Sequence, residues 1–163
     1  MLSQVQQNNV WDGWISSEIR ANYFADLGYR YQWQQRVTTW LTLVFSSGAF
    51  VTLITDWLPP AVAWVRPALA FLTVALSLWS LVAQNQKNAT ECSDLHFRWN
   101  TLAAQYEALW GSMYEANADA RLQSLNKTAA EISKSSTSFP NDAKRMGKWQ
   151  DHVVRHHAAA VTA

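Results

Sequence analysis

Two stretches of this 163-residue chain, residues 37–55 and 67–86, contain no Asp, Glu, Lys or Arg. They read VTTWLTLVFSSGAFVTLIT and PALAFLTVALSLWSLVAQNQ. Each is about as long as a helix must be to cross a hydrocarbon core about 30 Å thick. Average composition hides the pattern, because mean hydropathy is −0.17 and charged residues make up 15%. Between the windows lies ITDWLPPAVAWVRP (residues 54–67), where Asp56 and Arg66 flank Pro59-Pro60. Trp40, Trp57 and Trp64 fall near the window ends, where aromatic belts sit. A buried hairpin of a soluble bundle is the alternative, but both windows are apolar around most of a helix circumference, which suits lipid better. The expected fold is therefore an all-α membrane protein, a two-helix transmembrane hairpin with N-terminal and long C-terminal cytoplasmic helices. Five glycines and four prolines leave little for an all-β fold.

The charges give an orientation. Of 13 Lys and Arg residues, all but Arg66 lie outside the hairpin tip, with Arg20, Arg30, Arg36, Lys87 and Arg98 near the expected membrane ends. The positive-inside rule then places both termini in the cytoplasm and the Pro59-Pro60 tip outside. The start, MLSQVQQNNVWDG, lacks the basic region and apolar run of a signal peptide. Cys92 is the only cysteine, so no disulfide forms within the chain.

Four segments follow. In residues 1–36, Ile15, Ile19, Tyr23, Leu27 and Tyr31 recur at every fourth position with Phe24 beside them, one stripe of a helix that runs directly into the first window. Residues 37–86 form the hairpin. In residues 87–132, Leu95, Trp99, Leu102, Tyr106, Leu109 and Met113 alternate steps of four and three, a heptad seam that Ala116 and Ala120 continue. This predicts one long cytoplasmic helix that packs on the first helix, on a neighbouring subunit, or on both. Residues 133–163 begin with the Ser-rich SKSSTS, close the linker at Phe139-Pro140, and offer Asn141 or Asp142 as the N-cap of a last helix. From residue 134 onward five cations face two carboxylates, the only strongly basic segment.

Enzyme chemistry finds little support. There is no Gly-rich phosphate loop, no paired-cysteine metal site, and no nucleophile with an evident base, and nothing calls for a cofactor. His152 and His156 have helical metal-ligand spacing beside His157, but no glutamate between them supplies a base, and solvated histidines are the plainer reading. The hydroxyl residues of the windows are more informative. Thr38, Thr42, Ser46, Ala49 and Thr52 share one helical face, and Thr73, Ser77, Ser80 and Gln84 share another. Such faces serve helix packing in membranes, or line a weakly polar pore when several subunits combine. Thr42, Ser46, Thr73, Ser77 and Ser80 are the pore-lining candidates. No acid or base lies within either window, which argues against a proton pump or coupled transporter. In the tail, Trp149 stands among Lys144, Arg145, Lys148 and Arg155, a pairing of charge and stacking surface that suits anionic headgroups or single-stranded nucleic acid. With Arg121, these five are the ligand-binding candidates.

The helix YFADLGYRYQWQQR (residues 23–36) leading into two spans, followed by LHFRWNTLAAQYEALW (residues 95–110), resembles the SLATT proteins over roughly residues 11–130. These are two-transmembrane effectors of prokaryotic anti-phage defence. The resemblance implies a homo-oligomer, a tetramer or larger, embedded in membrane lipid of the bacterial inner membrane and forming pores that depolarise an infected cell. It also implies control by a nucleotide or short DNA oligomer made by a partner nucleotidyltransferase, as in defence systems of the Hailong type. Whether such a ligand opens or closes the channel is left open by the sequence. The alternative is a non-conducting membrane scaffold that recruits a partner through its cytoplasmic helices.

Overall fold

The computed structural model describes residues 2–47 and 64–162, and these form five helices with no strand among them. They are α1 (Gln4–Ser46), α2 (Val65–Ala83), α3 (Asn85–Gly111), α4 (Ala118–Ser136) and α5 (Ala143–Thr162). The all-α expectation holds for the described residues. The hairpin tip, with Asp56, Trp57 and Pro59-Pro60, and the end of the first stripe at Ala49 and Thr52 lie outside them.

The 43 residues of α1 contain no proline, so nothing removes a backbone donor along its length. Its start is a reciprocal capping box. Gln6 N donates to Ser3 Oγ at 3.3 Å, and Ser3 N donates to Gln6 Oε1 at 2.9 Å. Helix α2 ends at Gln84, which adopts the left-handed conformation (φ 45°, ψ 34°), the one positive φ at a non-glycine among the described residues. That conformation costs about 1–2 kcal/mol in a residue with a Cβ. Asn88 Nδ2 donates to the carbonyl of Ala83 at 3.2 Å, occupying an acceptor left open at the end of α2.

The chain divides into two compact units, Met1–Leu27 with Glu91–Ala163, and Gly28–Thr90. The first is a bundle of helices around the seam read from the sequence. Leu95, Trp99, Leu102, Tyr106 and Leu109 are all buried. At about 1.5–3 kcal/mol for each fully buried large apolar side chain, the five contribute on the order of 10 kcal/mol before conformational entropy opposes it. Their partner is α1. His96 Nδ1 lies 2.8 Å from Ala21 O, the Arg20 guanidinium stacks on Trp99, and the Trp11 and Trp110 rings meet at 5.5 Å. Residue numbers rise on one helix as they fall on the other, so the two run antiparallel.

The single long helix expected over residues 87–132 is two antiparallel helices. Residues 112–117 form a turn after Gly111, and α4 doubles back along α3. Tyr106 Oη donates to Asn126 Oδ1 at 2.8 Å, and Trp99 Nε1 donates to Ser136 Oγ at 3.4 Å. Doubling back lets α4 bury Leu122 and Ile132 with the seam, whereas a straight continuation would carry them away from it. Ala116 and Ala120, expected to extend the seam, are exposed. The Ser-rich stretch expected as linker is helical through Ser136, and the connection to α5 is residues 137–142.

Helix α5 starts where expected, with Asp142 Oδ1 accepting from the backbone N–H groups of Lys144 (3.1 Å) and Arg145 (3.2 Å). It packs antiparallel on α1 by burying Val153, by the ion pair of Arg145 with Asp26, and by His157 against Glu18.

Candidate functional site

The unit formed by Gly28–Thr90 has the reverse surface. Among the described residues it holds 13 of the 17 large exposed hydrophobic side chains, while Ala89 is its single buried apolar residue. On α2, Phe71 is 76% exposed and Val82 77%, with Val74, Leu78 and Trp79 exposed between them. On α1, Trp33, Trp40, Leu43 and Val44 are likewise exposed. Among the described residues no helix is long and apolar enough to cross a membrane. The first uncharged window continues past Ser47, beyond the described residues.

Within this surface the pore-lining candidates use their own helices as hydrogen-bond partners. Thr42 Oγ1 donates to Thr38 O (2.9 Å), Ser46 Oγ to Leu43 O (3.3 Å) and Ser77 Oγ to Thr73 O (2.9 Å). Thr38, which is buried, donates to Gln34 O at 2.9 Å. Thr42, Thr73, Ser77 and Ser80 are half-buried and Ser46 is exposed. Bonding back to a carbonyl three or four residues earlier satisfies a hydroxyl without water. Such a side chain tolerates lipid, helix packing or a pore wall.

The tail candidates separate into two groups. Arg145 is committed to the fold, with Nη1 3.2 Å from Asp26 Oδ2 and Nε 2.9 Å from Asp142 Oδ2. Arg121 is held at the α3–α4 turn by Ser112 Oγ (2.9 Å) and Glu115 (3.5 Å). In contrast, Lys144, Lys148 and Arg155 are exposed and share one face of α5, at spacings of four and seven. Arg155 Nε donates to the carbonyl of Asp151 at 3.0 Å. Lys148 Nζ lies 5.3 Å from the centre of the Trp149 ring, whose buried Nε1 has no hydrogen-bond partner among the described residues. The exposed cationic face is therefore Lys144, Lys148 and Arg155, interrupted by Asp151.

The histidines are not equivalent. His157 is folded in, its Nε2 2.7 Å from Glu18 Oε2 and its ring edge-on to Trp14 and Trp11 at 4.7 and 5.6 Å. His152 and His156 are exposed, and no group of metal-ligating side chains forms among the described residues. Cys92 is fully buried, and burial, then the charge of Glu91, pushes its thiol up to about 12. That is an inert thiol.

Sequence reasoning missed Arg20. It stands half-buried with Cζ 4.7 Å from the centre of the Trp99 ring, at the edge of a cavity of about 310 Å³ that Tyr23, Phe24, Ser133, Phe139 and Asn141 also line. The clue was an arginine one residue from a stripe that the core requires.

The chain matches no protein-family model, and no curated protein or solved structure shows significant similarity to it.

Proposed function

We propose that the chain is an oligomeric membrane channel effector of an anti-phage defence system, of the type the SLATT resemblance implies. The observation that carries the membrane part is the contrast between the two units, one with a buried apolar core and the other with its large apolar side chains outside. An exposed apolar surface of that extent needs cover, and lipid supplies it. In sequence the uncharged windows at residues 37–55 and 67–86 have the length for that role, although no helix among the described residues is long and apolar enough to cross a membrane. In this reading both termini are cytoplasmic at the bacterial inner membrane. The helical bundle of Met1–Leu27 with Glu91–Ala163 is the control unit, and several subunits bring the stripes of Thr42, Ser46, Thr73, Ser77 and Ser80 together as the pore wall.

A nucleotide or short oligonucleotide, made by a partner nucleotidyltransferase, sets the open state. The exposed cations Lys144, Lys148 and Arg155 are its first point of attraction, since phosphates are attracted to solvent-facing cations. Ion flux through the purified chain in liposomes tests the proposal.

The second reading is a non-conducting membrane scaffold. The hydroxyls that bond back to their own helices favour it, because packing satisfies them as well as a pore does. It predicts membrane association and self-assembly without flux.

A further inference from the structure

We propose that the cavity between α1, the end of α4 and the 137–142 turn binds the phosphate group of a small phosphorylated molecule, with Arg20 as its anchor. At about 310 Å³ the cavity is at the lower end of ligand-pocket size, about 300–1,000 Å³. Among the described residues, Arg20 is the only charged side chain in its lining, and no carboxylate lines it.

The guanidinium carries unmet demand. One of its faces is covered by the Trp99 indole. Of its five N–H donors, it uses one long hydrogen bond, from Nη1 to Ser133 Oγ at 3.4 Å. Burial holds its pKa below the ordinary guanidinium value, and no carboxylate pairs with it among the described residues. A partly desolvated cation without a counter-charge is costly, and an incoming anion relieves that cost.

Other groups around the cavity divide into those already committed and those open. Tyr23 Oη donates to Pro140 O and accepts from Asp142 N, Ser136 donates to Ile132 O, and Thr137 donates to Lys134 O. The Ser133 hydroxyl accepts from Arg20 but donates to nothing among the described residues, and the Asn141 amide makes no hydrogen bond there. Open donors therefore come from three elements: Arg20 on α1, Ser133 on α4 and Asn141 in the turn. A tetrahedral phosphate accepts from several directions at once, and a guanidinium binds it with charge-assisted bonds. Phe24 and Phe139 meet edge to face at 6.0 Å and supply an apolar wall for the rest of the ligand. This site lies wholly within one unit, so it stands or falls apart from the channel reading.

The experiment titrates inorganic phosphate into the purified full chain in detergent, at constant ionic strength, and follows the unfolding temperature. Acetate and chloride titrations run beside it. The expected result is a saturable rise with phosphate alone, lost at least tenfold in affinity in Arg20→Gln and retained in Lys127→Gln, a change at an exposed lysine of α4. Because Arg20 also packs on Trp99, a Ser133→Ala, Asn141→Ala double variant serves as the second arm, with a several-fold loss expected. No saturation with phosphate, saturation with acetate as well, or unchanged affinity in Arg20→Gln or in the double variant would overturn the proposal.

Discussion

Gly13 of α1 faces the ring of Tyr106 so closely that an added Cβ would stand 2.7 Å from two ring carbons. Tyr106 cannot swing away freely, because it is buried and its hydroxyl donates to Asn126. Gly13→Ala should therefore destabilise the bundle by about 1–3 kcal/mol through overpacking. Gly147, inside α5, has no atom within 4 Å of an added Cβ. Gly147→Ala should stabilise by about 0.5–1 kcal/mol through helix propensity alone. Chemical unfolding of the two variants checks both signs, and a neutral Gly13→Ala would contradict the packing.

The cations of the tail should separate by assay. Arg145→Ala breaks pairs with Asp26 and Asp142 and should cost about 0.5–2 kcal/mol of stability, since these part-buried pairs lie between the surface and buried limits. Lys144→Glu, Lys148→Glu and Arg155→Glu lie on the exposed face and should each change stability by less than about 0.5 kcal/mol. The same three should weaken binding of a short single-stranded DNA, read by fluorescence anisotropy at two salt concentrations. Equal stability losses across all four would contradict the division.

Cys92 should resist alkylation by iodoacetamide at pH 8 in the folded chain and react when the chain is unfolded. Its thiol is held at about 12 against an ordinary 9.0, so the unfolded state loses the proton first. Between those values the folded state binds more protons, and stability falls as pH rises by about 1.4 kcal/mol per unit. Cys92→Ala should flatten the fall between pH 9 and 10. Rapid native labelling would show that the thiol is accessible.

Exposed Phe71 and Val82 should be the membrane-facing part of α2. A Phe71→Glu, Val82→Glu double variant should lose co-sedimentation with phosphatidylcholine vesicles by at least tenfold, because each new charge must be desolvated, and even away from the hydrocarbon centre the two costs together exceed about 1.4 kcal/mol. Unchanged co-sedimentation would mean that this face meets protein.

Much of the bundle was legible because its signals are local. The alternation from Leu95 to Leu109 marks one buried face, and Asp142 caps α5 through its own side chain. The break at residues 112–117 was not, because SMYEAN contains no proline and Ala116 and Ala120 happen to keep the heptad spacing. What ends the helix is tertiary, the gain from laying α4 back on the seam. The withdrawal of Arg145 was equally hidden, since Asp26 lies 119 positions away. Arg20 was read as one of the cations near the expected membrane ends, and only the position of Trp99 beneath it makes it distinct.

The most direct test of the central claim is ion flux from liposomes carrying the purified full chain, followed with a potential-sensitive dye and without any added partner or nucleotide, then with a short DNA oligomer. The account predicts a conductance that the oligomer changes, and that Ser46→Leu and Ser77→Leu reduce while assembly persists. Membrane-inserted oligomers that pass no ions under either condition would contradict the channel and leave the scaffold.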